Sequence, residues 1–144
     1  MIIKVVSAFF ATFFFGYLFN IKKEHLFFTA LGGGLSAFAY ETFHFFHFGI
    51  YSSIFLAAIV FAFYAEVMAR IKKTSVTTFA ICALIPLVPG KGMYLTMLAM
   101  VNSDYDNALK NGIETLGSAG LLALGILIVS TLARLYTFKK TIHS

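Results

Sequence analysis

The stretch Ile85-Pro86-Leu87-Val88-Pro89-Gly90-Lys91-Gly92 breaks an apolar, helix-period segment, and its reading decides the fold. Each proline removes a backbone donor and crowds the turn before it, and glycine loosens the chain further. In hydrocarbon no water satisfies the freed N–H and C=O groups, so such a break persists only inside protein or beside a wet cavity. Transporters place substrate and ion sites at discontinuous membrane helices of this kind. The stretch therefore makes the chain a transporter candidate.

The flanking composition supports a membrane setting. Of the 144 residues, 60% are hydrophobic and only 12% charged, with mean hydropathy +0.88. A soluble domain with so little charge could not cover its surface, so the class is all-α integral membrane. At about 20 residues per span the length accommodates four or five crossings, with one transmembrane domain over 1–144 and no extramembrane domain. The net charge of +5 comes from lysines and arginines at helix ends, where they orient a membrane protein; no nucleic-acid partner is expected. Cys82 is the single cysteine and reads as a small core hydrophobe. Lys4 precedes an apolar run without an A-x-A-like cleavage site, so that run is expected to be a retained first span.

Apolar runs place spans at about 2–19, 26–48, 50–70, 75–101 (interrupted at 86–92) and 113–136. Gly49 is expected to make the turn between the second and third. Ser103 or Asp104 would cap a short helix leading to Gly112. Segments 75–88 and 92–101 are each too short to cross about 30 Å of hydrocarbon at about 1.5 Å per residue. Joined, they cross once; folded back, they form a re-entrant hairpin. With one crossing, Lys22, Lys23, Arg70, Lys72, Lys73, Arg134, Lys139 and Lys140 share one side, opposite Lys4 and Lys110. The positive-inside rule then favours five spans, the N-terminus outside and the C-terminus cytoplasmic.

Several constellations carry possible chemistry. At the break, the second half-helix would begin with exposed N–H groups and a partial positive charge, with Lys91 adding a full one. Together they form a receptor for a carboxylate, assisted by Tyr94 and, nearby, Thr96. A simple proline kink is the plainer reading. Glu41 lies within the second span, where a carboxylate is costly unless paired or facing water. It is either a proton-coupling group or a residue at the outer interface. Glu66 and Arg70 fit an ion pair at helical spacing. Glu41, His44 and His47 recur every third residue, but residues six apart are poorly placed for one ion, so no metal is expected. Of the remaining histidines, His25 and His143 sit near the opposite side. Small residues at Ala30/Gly34 and, in the last helix, Gly117, Ala119, Gly120 and Ala123 would let helices approach closely. Neither a phosphate-binding G-x-x-x-x-G-K-[ST] loop nor a dinucleotide fingerprint occurs. A membrane enzyme using Glu41, His44 and His47 with a metal is a further class, and no cofactor and no enzymatic activity are expected.

Phe19-Asn20 at the end of the first span, the small-residue second span, and the I-P-x-x-P-G-x-x-x-Y pattern from Ile85 to Tyr94 resemble the threonine/serine exporter family. More narrowly, the chain is similar to the small separate subunit that corresponds to the second half of the full-length exporters. The resemblance implies export of threonine, serine or C4-dicarboxylates such as succinate across the bacterial inner membrane. It also implies a second polytopic subunit equivalent to the missing first half. Only Pro86, Pro89, Gly90 and Tyr94 carry over from the family pattern; Lys91 and Gly92 rest on the local physics. The reading is a secondary-transporter subunit for small carboxylate metabolites. The alternative is a non-transporting subunit that stabilises or localises a larger partner.

Overall fold

A computed structural model describes residues 2–142, with side chains through 136. His143 and the side chains of Lys139 and Lys140 lie outside the described residues. Among those residues the chain is all helical: α1 (Ile2–Leu18), α2 (Lys23–Phe45), α3 (Ile50–Ile71), α4 (Val76–Leu84), a single 3-10 turn (Ile85–Leu87), α5 (Gly90–Val101) and α6 (Tyr105–Ile142).

α2 occupies the middle, and its glycines set how closely its neighbours approach. A Cβ on Gly32 would lie 3.0 Å from the Tyr64 ring of α3 and 3.3 Å from Ala83 of α4. One on Gly33 would lie 1.9 Å from Thr12 Oγ1 of α1, and Gly34 faces Phe9. Three consecutive glycines thus serve two opposite flanks of one helix, which is close small-residue packing rather than a phosphate loop. Ser36 Oγ lies 2.8 Å from Gly33 O and 3.2 Å from Ala83 O, and Tyr64 donates to Phe28 O at 2.8 Å. These bonds tie α3 and α4 to α2 around the fully buried rings of Phe61 and Phe79.

The neighbours of each helix give its direction. Thr12 beside Gly33 and Lys4 beside Glu41 make α1 and α2 antiparallel. Tyr51 beside Gly117, Ala58 beside Gly125 and Arg70 donating to Ala133 O (2.8 Å) make α3 and α6 parallel. Between Ile71 and Gly117 the chain must therefore return from one end of the bundle to the other, and α4, the 3-10 turn and α5 make that return. α5 then packs antiparallel on the start of α6, with Gly92 beside Thr115 and Thr96 beside Gly112.

Three details differ from the sequence expectation. α6 runs unbroken for 38 residues, absorbing the short helix expected before Gly112. Asp104 caps it: Oδ1 accepts from Asn107 N at 3.2 Å and Oδ2 from Asn107 Nδ2 at 2.6 Å. The α2–α3 turn places His47 at φ 61, not Gly49, which sits at φ −56 as the residue before α3. In α6, Ala119, Gly120 and Ala123 are exposed, and the face packed on α3 is Ser118, Leu122, Gly125 and Val129. A Cβ on Gly125 would lie 2.8 Å from that of Ala58, so Gly125 supplies the close approach.

Among the described residues two helices are long and apolar enough to cross a membrane, Ile50–Ile71 and Tyr105–Tyr136. A third span results if Val76–Leu87 and Gly90–Val101, which meet at 52°, are counted as one. α1 is apolar but only 17 residues long, and α2 is diluted by its glycines, acids and histidines. The outward faces are rich in exposed Phe, Leu, Ile and Met, as contact with lipid requires.

Candidate functional site

The site begins where α4 runs out of donors. Pro86 has no N–H to give to the Cys82 carbonyl, so the helix ends at Leu84 and tightens into the 3-10 turn. Val88 N closes that turn onto Leu84 O (3.2 Å) and Ile85 O (3.3 Å). Pro89, at φ −75 and ψ 55, is the centre of an inverse γ-turn closed by Gly90 N to Val88 O at 2.7 Å. α5 starts directly after it, with Met93 N bonding to Pro89 O at 3.2 Å. The non-helical part is therefore shorter than residues 86–92. Gly90, Lys91 and Gly92 already form the first turn of α5, where backbone N–H groups lack intrahelical acceptors.

This connector walls a cavity of about 400 Å³ that also reaches Tyr40 of α2, Ile50 and Ile54 of α3, and α6. From the connector and α5 come Pro86, Leu87, Val88, Pro89, Lys91, Gly92 and Leu95; from α6 come Asn111, Glu114, Thr115 and Ser118. Gly92 lets the two sides meet, since a Cβ there would lie 2.3 Å from Thr115 Oγ1. The hydroxyls of Thr115 and Ser118 donate to their own helix, to Asn111 O (2.6 Å) and Glu114 O (2.9 Å), and Thr96 does the same to Gly92 O (2.8 Å). Ion pairs among the described residues are Lys4–Glu41 and Glu66–Arg70, and neither Lys91 nor Glu114 takes part in one.

The residues singled out from sequence divide into two groups. Pro86, Pro89, Lys91 and Gly92 line the cavity. Gly90 faces open space, and Tyr94 is 64% exposed on the outer side of α5. Glu41 stands next to Tyr40 but outside the cavity, 2.8 Å from Lys4 Nζ, its side chain 16% exposed. Glu66 lies 3.7 Å from Arg70 at the expected helical spacing. Glu41, His44 and His47 do not converge: among the described residues no three His, Cys, Asp or Glu side chains are placed to hold a metal. Asn111, Glu114, Thr115 and Ser118 escaped the sequence reading. Their signal is a polar i, i+4, i+7 stripe (Asn111, Thr115, Ser118) entering an apolar helix, and an assumed helix start at 113 cut it in two.

The family model described as threonine/serine exporter, ThrE, matches residues 4–132. The chain belongs to the threonine/serine exporter family. No curated protein and no solved structure matches it. The family is a transporter family, and the cavity at the proline connector brings Lys91 and Glu114 onto facing walls.

Proposed function

We propose that the chain is a subunit of a secondary transporter that exports small solutes bearing a carboxylate, and that the cavity beside Pro86 and Pro89 holds them. One observation carries the reading. The Lys91 side chain and the backbone N–H groups of Lys91 and Gly92 in the α5 first turn form one wall, and Glu114 stands on the α6 wall. A zwitterion such as threonine or serine would place its carboxylate on the first wall and its ammonium on the second. A dicarboxylate such as succinate would set a carboxylate against Glu114, so the amino acid is the better fit. Glu114 is also the better placed group to carry a coupling proton. Glu41, the earlier candidate, would first have to leave its 2.8 Å contact with Lys4.

In this reading α1, α2, α3, the bent α4–α5 pair and α6 make five crossings of the bacterial inner membrane. The parallel run of α3 and α6 supports an odd number and a crossing, not a re-entrant, α4–α5 pair. The lysine and arginine distribution puts the N-terminus outside and the C-terminus in the cytoplasm. A second polytopic subunit equivalent to the first half of full-length exporters would complete the transporter.

Efflux of labelled threonine from cells expressing both subunits tests the proposal. Lys91→Gln and Glu114→Gln should each lower efflux about tenfold or more at unchanged abundance, as loss of a charge-assisted bond requires. Wild-type efflux from both variants would remove the cavity from the transport path.

A further inference from the structure

The opposite end of the bundle carries a second cleft of about 340 Å³, between the α1–α2 turn and the start of α4. Asn20, Lys22, His25, Thr74, Thr77 and Thr78 contribute its polar wall, and among the described residues no acid lines it. His25 is 9% exposed, with its ring edge-on to Phe79 at 5.8 Å. Its Nδ1 is buried without a hydrogen-bond partner, an unsatisfied polar atom in a residue that lines the cleft. α4 begins at the same place. Its N-cap, Ser75, makes no side-chain bond to the helix backbone, and its hydroxyl is engaged with that of Thr77 instead. Thr78 N bonds back to Ser75 O (3.1 Å), and the N–H groups of Val76 and Thr77 add partial positive charge to the full charge of Lys22. Lys22 is the one full charge among the described lining residues, so the cleft favours an anionic ligand, to which the threonine hydroxyls can donate. Exposed Phe19 and Ile81 share the rim and offer apolar contact beside the polar wall.

We propose that this cleft binds the headgroup phosphate of an anionic phospholipid, with an acyl chain lying along Phe19 and Ile81. Lys22, Lys23, Arg70, Lys72 and Lys73 all fall at this end of the helices, where a lipid phosphate would sit. The site is separate from the Lys91–Glu114 cavity and stands whether or not that cavity transports.

Native mass spectrometry of the full chain, titrated with phosphatidylglycerol, phosphatidylcholine or inorganic phosphate, tests this. One phosphatidylglycerol should be retained in preference to phosphatidylcholine. Lys22→Gln, Thr78→Val and His25→Phe should each weaken it about tenfold, the loss expected of one charged or buried hydrogen bond. Lys110→Gln, at the opposite end of the bundle and outside both cavities, should bind as the wild type does. His25→Phe could disturb the packing on Phe79, so the exposed Lys22 and the isosteric Thr78 change carry the test independently. Binding of inorganic phosphate without preference for phosphatidylglycerol would overturn the headgroup assignment in favour of a soluble oxyanion. Equal retention of both lipids with no phosphate binding, or unaltered binding by the variants, would overturn the site itself.

Discussion

A missing methyl at Gly33 sets the distance between α1 and α2, because a Cβ there would fall 1.9 Å from Thr12 Oγ1, itself fully buried. Gly33→Ala should therefore force the helices apart and cost about 1–3 kcal/mol, the usual range for overpacking. Gly120 has the opposite surroundings, with nothing within 4 Å of a Cβ. Gly120→Ala should be neutral or gain up to about 1 kcal/mol from helix propensity. Thermal unfolding in detergent compares the two, and equal midpoints would contradict the packing described for α2. The same contrast recurs beside the cavity. Gly92→Ala would meet Thr115 at 2.3 Å and should impair efflux, whereas Gly90→Ala has open space and should retain it.

At the scale of elements, the bend between α4 and α5 depends on Pro89, because Gly90 is already helical. Pro89→Ala restores a donor and frees φ, so the 52° bend should relax. Spin labels at the exposed positions Ile81 and Met97 should then move apart, and an unchanged distance would show that packing on α6 alone holds the bend. The start of α6 depends on Asp104, whose carboxyl is held below its usual pKa of 3.8 by the bonds from the Asn107 side chain and N–H. A lowered folded-state pKa stabilises the ionised form. The cap's contribution is therefore fully present above pH 3.8 and is lost as the pH falls further. Amide exchange in the first turn of α6 should accelerate there, and Asp104→Asn should remove most of that pH dependence. The two prolines stand where α4 gives way to α5, and Asp104 was one of two residues readable as a cap. Chain polarity at Gly112 concealed the continuity of α6, because an isolated glycine is tolerated in a helix held by Thr96 and by α5. Glu114 went unread because the residues that face it across the cavity lie on the connector and α5, and sequence spacing within α6 does not show them.

For the molecule as a whole, the parallel run of α3 and α6 fixes what the intervening chain must do. An impermeant thiol reagent should label Ser103→Cys from outside intact cells and leave Thr74→Cys unlabelled, because the α4–α5 pair separates them. Labelling of both from the same side would instead describe a re-entrant hairpin. The central claim, that an exported amino acid occupies the cavity between the proline connector and α6, has a more direct test. In a Cys82→Ala background, alkylation of Asn111→Cys, which lines the cavity, is followed beside Leu109→Cys, which is exposed outside it. The account predicts that threonine slows alkylation at position 111 and leaves 109 unchanged. Equal rates at position 111 with and without threonine, in a protein that still exports it, would contradict it.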